Sequence, residues 1–524
     1  MSNRALLSLC AIAVSTWGCN LVTGASGLVI DEQASPAANA RSGPGNDSTR
    51  SGAGGGSTNS ELATTSGQGG ASSSSVGGGG TSASMEAVDG ATVTRVVLYQ
   101  GVSRPIMQDG QDVNSDTPII EGREALLRVF YQSDAAYNGR AVTARLTIDG
   151  RDPVDIQTTL GSASSEGALS STINFEVPGE AITVGMGYRV ELLQDEALAT
   201  GVNTAALYPD SGSFAKLAVE TVGKLVITLV PVHYAADGSD RLPDTSAAQL
   251  QRYEDLFYAM YPVPEVQISV RAQPLSWNSP VEAGGNGWDL LLNAIADLRN
   301  QDGVANNEYY YGIFAPASSH GAYCSGSCVA GLGFIGNPNN SGTRAAIGLG
   351  YSGDSSAETA VHELGHNHGR PHAPCGAVAN ADPSYPYNGA SIGVYGYNLI
   401  RKTLYAPETF VDMMSYCNPA WISDYNYKKL YEQAKFVNHA SYYVPPQMMN
   451  LSWERVSVRP DGRLEYLDNM TMVQPPLGNE TTVAVQTVNG TEYLTGQFFE
   501  YDHLPGGVLY VPPSRSKRSP SRAL

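Results

Sequence analysis

Short alternating runs of apolar and polar residues, separated by turn residues, dominate the stretch from about Val93 to Leu207. An alternation with a period of two is typical of strands that bury one face, and several such strands predict an antiparallel β-sandwich, which we place at residues 89–215. This stretch contains no catalytic constellation, so packing, spacing, substrate binding and latency all remain open as its role. The clearest runs are Val93–Tyr99, Ala125–Tyr131, Ala141–Ile148 and Tyr188–Leu193.

A different pattern, in which strands alternate with helices, covers residues 220–440. This alternation favours an α/β layer with a mostly parallel sheet. The Gly-rich run Arg344–Gly350 is a further strand, which we expect at the rim of a cleft, and Tyr323–Gly336 is a second candidate for that rim. The other predicted elements are the strands Leu225–Val232, Val266–Val270 and Tyr309–Phe314 and the helices Thr245–Tyr261, Gly287–Asn300 and Ser423–Val437.

Strand-like runs return after Ser441 and predict a small β-domain at residues 441–514. They include Arg463–Leu467, Thr482–Val485 and Gly507–Val511. The basic tail, Arg515–Leu524, is predicted to be disordered.

One helix of the α/β region, predicted from Ser356 to His368, contains a dense group of histidines. Ser355 is the expected N-cap, and Glu358 completes a capping box. His362 and His366 are one turn apart and share a face, so both imidazoles can reach one metal ion. Glu363 then lies beside the open position of that metal.

The motif continues as His-Glu-x-x-His-x-x-Gly-x-x-His, and its spacing predicts a third nitrogen ligand. Gly369 can adopt the left-handed conformation that ends the helix, and the turn then brings His372 back to the metal. Three histidines with a fourth position left for water are the ligands of a catalytic zinc ion, whereas a structural zinc site is closed by a fourth side chain. His368 falls on the far face of the helix, so we assign it no role in metal binding.

This ligand set predicts peptide hydrolysis with one catalytic zinc ion. Zinc lowers the pKa of its bound water towards neutrality, and Glu363 accepts the proton and later delivers it to the leaving amine. A zinc deaminase would need cysteine ligands and a different motif.

The downstream segment Asp412–Cys417 makes the chain resemble the metzincin clan of zinc endopeptidases over residues 225–439. Met414 and Tyr416 match the methionine turn of that clan. The resemblance implies an α/β catalytic domain with a zinc helix, here flanked by β-sandwich-like domains. It also implies that Met414 packs below the histidines without binding metal, and that Tyr416 binds zinc and swings away to stabilise the oxyanion.

The first 18 residues have the pattern of a signal peptide, with Arg4 followed by the apolar stretch Ala5–Ser15, which is too short to span a membrane. The segment ends in Thr16-Trp17-Gly18-Cys19, which resembles a bacterial lipobox. We therefore expect lipidation at Cys19, with plain secretion as the alternative because Thr16 and Trp17 depart from the usual pattern. Residues 19–88, rich in Gly and Ser, are predicted to be a flexible tether. These features predict an extracytoplasmic protein, either a surface lipoprotein or a secreted one.

Four cysteines follow the tether, namely Cys324, Cys328, Cys375 and Cys417. An even set in an oxidising compartment allows two disulfides in three connectivities, and we expect Cys324 to pair with Cys328 and Cys375 with Cys417. A four-cysteine zinc site is the rival, which the absence of CxxC pairs disfavours. Because the sequence has no cysteine between Asn20 and Tyr323, latency imposed from that stretch would need a carboxylate or a steric blockade.

The formal net charge of −19 argues against nucleic acid as a partner and against charge-driven binding to anionic lipid. We expect a monomer that acts on a protein or glycoprotein substrate and contacts a membrane only through Cys19. Ca²⁺ is possible as a structural ion, but no D-x-D-x-D-G loop is present to assign it.

Two hypotheses of different classes follow. The first is a secreted or surface-tethered zinc endopeptidase. The alternative is an adhesion or binding lipoprotein with a catalytically silent zinc fold. The sequence favours the first, because a silent site has no reason to retain Glu363, which would bind no metal and serve only as a base.

Overall fold

A computed structural model describes residues 84–439, 449–487 and 490–513. The predicted signal peptide, Cys19, nearly all of the tether and the basic tail lie outside these residues. Within the described residues, no helix is long and apolar enough to cross a membrane.

The N-terminal part folds into two antiparallel sheets that share one hydrophobic core. Inward-facing side chains alternate along the strands, as Val96 and Leu98 do on one sheet and Val190 and Leu192 on the other. The tether is shorter than predicted, because Met85–Ala87 already pairs with Gly187–Asp195. One sheet contains Met85–Ala87, Gly187–Asp195, Val142–Ile148 and Val154–Thr158, with Leu207–Tyr208 and Ala215–Lys216 attached; the other contains Gln111–Asp112, Ser103–Gln108, Ala91–Tyr99, Ala125–Ser133 and Ile173–Val177.

A central mixed sheet follows, in the spatial order Val266–Val270, Leu225–Tyr234, Glu308–Phe314, Ala345–Leu349 and Gly331–Gly333, with Leu275–Trp277 also paired to Leu225–Tyr234. The first four strands are parallel, and Gly331–Gly333 is antiparallel to its neighbour. We call Gly331–Gly333 the edge strand. The expectation that Arg344–Gly350 forms the rim is wrong, because Ala345–Leu349 is an interior strand with both neighbours in place. Tyr323–Gly336, the other candidate, contains the edge strand.

Five α-helices of the described residues accompany the sheet: α1 Ala247–Met260, α2 Trp288–Asp302, α3 His320–Tyr323, α4 Asp354–Asn367 and α5 Asp424–His439. Helices α1, α4 and α5 share a core with Tyr309, Tyr311 and Ile313, whereas α2 packs with Tyr310 and Phe314. Successive residues of this strand therefore face opposite layers, as the pleat requires. Two short pairs join the region: Gly396–Asn398 with Thr403–Tyr405, and Val411–Asp412 with Ala420–Trp421. A third, Ile119–Ile120 with Val219–Glu220, is parallel.

The C-terminal strands form one antiparallel sheet in the order Leu464–Met472, Leu451–Val458, Gly507–Val511, Gly490–Glu500 and Asn479–Thr487. This sheet packs on α2: Trp453, Phe499 and Tyr510 belong to the same hydrophobic core as Trp288. The buried Arg455 forms an ion pair with Asp297 of α2.

Arg123, which is fully buried, connects the N-terminal sheets to the central region. Its guanidinium donates to the main-chain carbonyl of Gln100 and, across the boundary, to the carbonyls of Tyr258, Ala259 and Val263 at 2.5, 3.3 and 2.9 Å. The single side chain of Arg123 therefore donates hydrogen bonds to four main-chain carbonyls.

We predict that Arg123→Met lowers the free energy of unfolding by about 3 kcal/mol, because it leaves several buried carbonyls without a donor. Urea denaturation followed by tryptophan fluorescence measures the change. The exposed Arg151 supplies a matched control, and Arg151→Met should shift the transition little. Equal shifts in both variants would contradict the assignment.

Candidate metal centre

Helix α4 carries His362, Glu363 and His366, and its start differs from the prediction. The N-cap is Gly353, with φ of 115°, and Ser355 lies inside the first turn, so the predicted capping box does not form. A tertiary contact sets the boundary. The side chain of Gln249 in α1 accepts from the Gly353 amide at 2.8 Å and donates to its carbonyl at 3.0 Å.

Three imidazoles converge at the C-terminal end of α4, and each donates from Nδ1 to a main-chain carbonyl. The pairs are His362 with Met413 at 2.7 Å, His366 with Arg370 at 2.6 Å and His372 with Ala379 at 3.0 Å. These bonds leave all three Nε2 atoms as lone-pair donors, and such partners of the distal nitrogen are typical of metal-binding histidines.

The residues present fit a zinc ion. Nε2 of His362 and Nε2 of His366 are 3.1 Å apart, close to the separation of about 3.3 Å expected for two nitrogens on one tetrahedral zinc. Among the described residues, the buried Nε2 of His372 has no hydrogen-bond partner. Burial, with the charge of nearby imidazoles as a second cause, lowers the pKa of His362 to about 3 and that of His372 to about 2. The rings are therefore neutral, the form that binds metal.

Gly369 makes the turn that returns the chain to this centre. Its φ is +75°, its amide donates to the His366 carbonyl at 2.8 Å, and a Cβ atom there would lie 3.1 Å from the Gly336 carbonyl oxygen.

Both expected disulfides are present, Cys324–Cys328 and Cys375–Cys417. The second joins the loop after His372 to the residue after Tyr416.

The methionine turn lies beneath α4. Met414 is fully buried, and a Cβ on Gly365 would approach its sulfur to 2.4 Å, so the thioether packs directly against the helix. The buried carboxylate of Asp412 holds the turn. It accepts from the Met414 and Ser423 amides at 2.8 and 2.9 Å and from the Asn426 side chain at 2.8 Å. This positioning role of Asp412 was not predicted from the sequence.

Glu363 is 1% exposed and lies against the edge strand. A Cβ on Gly331 would come within 2.2 Å of its Oε1 atom, so glycine is required at that position. Burial raises the pKa of the Glu363 carboxyl to about 8.

Two further side chains reach the centre that sequence analysis did not identify, Asp502 and His503. His503 Nε2 lies 3.0 Å from Glu363 Oε1, and its Nδ1 lies 2.5 Å from the Tyr416 hydroxyl. Asp502 Oδ2 lies 3.3 Å from His366 Nε2. The fourth position, which we expected to be open to water, is therefore approached by protein side chains. The only local signal in the sequence is the adjacent pair Asp502-His503, which has no metal-ligand spacing.

His368 lies away from this cluster. Its ring stacks on Tyr309 with a centroid distance of 4.7 Å, and its Nδ1 donates to the Leu364 carbonyl at 2.7 Å. The buried imidazole packs in the core behind the helix.

A mostly apolar cavity adjoins the cluster, between α1, α4 and the methionine turn. Its apolar wall includes Leu256, Met260, Val361 and Met413, and Glu358 contributes a carboxylate. Burial, reinforced by the charge of Asp354, raises the pKa of Glu358 to about 7.

Three convergent imidazoles beside a buried carboxylate, next to a sheet edge, form the arrangement expected of a metallopeptidase. Residues 274–419 match the Peptidase M66 family, which supports a peptidase family for this part of the chain. The match includes the three histidines, Glu363 and Tyr416 and ends before α5 and the C-terminal sheet. No match was found among curated proteins.

We predict that Glu358→Gln stabilises the protein above pH 7 and does so much less at pH 5. The Glu358 carboxyl has a pKa of about 7 in the fold and 4.5 as its ordinary value. Its ionisation therefore destabilises the native state as the pH rises from 4.5 through 7, by up to about 3 kcal/mol. Urea denaturation at pH 5 and pH 8 tests this. Glu254→Gln, at an exposed site on α1, is the control; an equal gain at both pH values in Glu358→Gln would contradict the prediction.

Proposed function

We propose that the chain is a zinc-dependent endopeptidase of metzincin type that hydrolyses peptide bonds in proteins or glycoproteins. The observation that carries this proposal is the convergence of three neutral imidazoles, each with Nδ1 bound to a carbonyl, on a point beside the Glu363 carboxylate. His362, His366 and His372 would hold the ion.

The zinc ion, Glu363 and Tyr416 would each have one role in hydrolysis. Zinc held by the three histidines would supply a Lewis acid able to polarise the scissile carbonyl and to acidify water. Glu363 accepts a proton from the attacking water and donates it to the nitrogen of the leaving amine. The ring of Tyr416 lies beside that of His372, with 4.8 Å between the ring centroids, and its hydroxyl would donate a hydrogen bond to the oxyanion.

The edge strand and the cavity position the substrate. An extended peptide pairs with the outer side of Gly331–Gly333, the side away from Ala345–Leu349, and presents its carbonyl to the centre. One of its side chains enters the cavity lined by Leu256 and Met260. The Glu358 carboxylate in the wall favours a side chain with an apolar stem and a hydrogen-bond donor at its end.

We also propose that the protein acts outside the cytoplasm, as a monomer, either lipidated at Cys19 or secreted. Cys324–Cys328 and Cys375–Cys417 are compatible with an oxidising compartment.

Glu363→Gln should reduce kcat/KM by about 10³-fold, because it removes the general base, and should leave the zinc content unchanged. Cleavage of a broad peptide mixture, followed by mass spectrometry, and elemental analysis of bound zinc measure the two quantities. The comparison is made in the wild-type chain and again in chains carrying His503→Ala, because His503 contacts both Glu363 and Tyr416.

Glu254→Gln is the matched control and should keep both zinc and cleavage. Equal peptide profiles with and without Glu363, with zinc retained in each, would refute the peptidase and support a binding protein with a silent zinc fold.

A further inference from the structure

We propose that the hairpin loop Tyr501–Gly506 closes the metal centre and that His503 is its fourth nitrogen ligand. The loop connects strands Gly490–Glu500 and Gly507–Val511 of the C-terminal sheet. This proposal rests on the proposed function, because it assigns the described state to a closed form of the same site.

The loop occupies the edge that a peptide substrate needs. Tyr501 pairs antiparallel with Phe334, immediately after the edge strand. The Asp502 amide donates to the Gly333 carbonyl at 3.2 Å, and the Ile335 amide donates to the Glu500 carbonyl at 3.1 Å. The Gly333 amide is also engaged, by Asp502 Oδ1 at 3.0 Å. These are the main-chain groups through which an added strand binds a sheet edge, so loop and substrate compete.

The side chains of the loop occupy the chemical centre as well. His503 offers a ring nitrogen that lies within 4.8 Å of the ligand atoms of His362, His366 and His372, all four within that distance of one another. Its ring stacks on His372 with a centroid distance of 4.9 Å. A fourth imidazole converts the open three-histidine set into the closed set typical of a zinc ion that does not react.

His503 also engages both groups that hydrolysis requires. Nε2 faces the Glu363 carboxylate at 3.0 Å, and Nδ1 meets the Tyr416 hydroxyl at 2.5 Å. When His503 binds the ion, the nitrogen that does so gives up its contact with Glu363 or with Tyr416. The His503 ring then lies between any substrate and both the base, Glu363, and the oxyanion donor, Tyr416.

The C-terminal sheet anchors the loop Tyr501–Gly506, and the loop can open while that sheet stays in place. The Tyr501 hydroxyl accepts from Asn293 of α2 at 2.9 Å, and Leu504 packs over Gly285. Arg455 and Asp297 fix the sheet itself on α2. Opening therefore consists of withdrawing residues 502–505, by a conformational change or by cleavage within the loop, while the sheet stays in place.

The test uses the full chain loaded with cobalt(II), whose visible absorption reports its ligands, and titrates acetohydroxamate as a small metal ligand. We expect His503→Ala to bind acetohydroxamate at least tenfold more tightly than the wild type and to hydrolyse peptides at least tenfold faster. His503→Phe retains an aromatic ring at this position but has no nitrogen to bind the metal. Its cobalt spectrum should therefore differ from that of the wild type before any acetohydroxamate is added. His439→Ala, at an exposed histidine, should behave like the wild type.

Equal acetohydroxamate affinity in wild type and His503→Ala would overturn the closure, and a wild-type cobalt spectrum in His503→Phe would overturn the ligand assignment. A His503→Ala chain that keeps its metal and circular dichroism spectrum but cleaves more slowly would also overturn the closure, because His503 would then assist the reaction. If tighter acetohydroxamate binding appears without hydrolysis in any form, the closure stands and the proposed peptidase function fails.

Discussion

The hydrogen bonds from three imidazole Nδ1 atoms to main-chain carbonyls are the interactions on which the site depends. An imidazole on a flexible side chain can rotate, and each Nδ1 bond fixes the ring so that Nε2 points at a common place. The carbonyls belong to Arg370, Ala379 and Met413, which lie in three separate segments. The geometry of the candidate metal site is therefore as precise as the placement of these three segments.

A different local interaction holds each of these three segments. Gly369 allows the tight turn that places Arg370, whose guanidinium is fixed by Asn426 and Asp382 at 2.7 Å each. The Cys375–Cys417 disulfide ties the loop that leads to Ala379 to the methionine turn. The Asp412 carboxylate fixes that turn from below. The central sheet and α5 support the segments that make these interactions.

The edge strand takes part in both proposals, because it would bind the substrate and it contacts the loop that would close the centre. An unpaired strand edge is a template for any extended chain, and the proposed substrate recognition uses that property. In the described structure, Tyr501 and Asp502 of the same chain take the edge, and His503 follows into the metal centre. The absence of cysteine between Asn20 and Tyr323 left a carboxylate or a steric blockade as the means of latency imposed from that stretch. The proposed closure combines a steric block with an imidazole, and it comes from the C-terminal side of the centre.

Much of this architecture could be predicted from local patterns. Alternating runs marked the strands of both β-regions, and the His-Glu-x-x-His spacing located the cluster, because both signals depend only on neighbours within a turn or a pleat. The start of α4 could not be predicted, since Gln249 of another helix determines it. The Nδ1 acceptors are main-chain atoms, which side-chain identity does not reveal. His503 reaches the cluster only through the packing of the C-terminal sheet on α2, a long-range contact without a spacing rule.

X-ray absorption at the zinc edge of the zinc-loaded full chain tests the closed metal centre most directly. A centre closed by His503 should show four nitrogen neighbours at about 2.0 Å with the scattering pattern of four imidazoles, and His503→Ala should show three imidazoles and one water. Fewer than three imidazoles in the wild type would contradict the convergent metal site on which the account depends, and three in both chains would contradict its closure by His503.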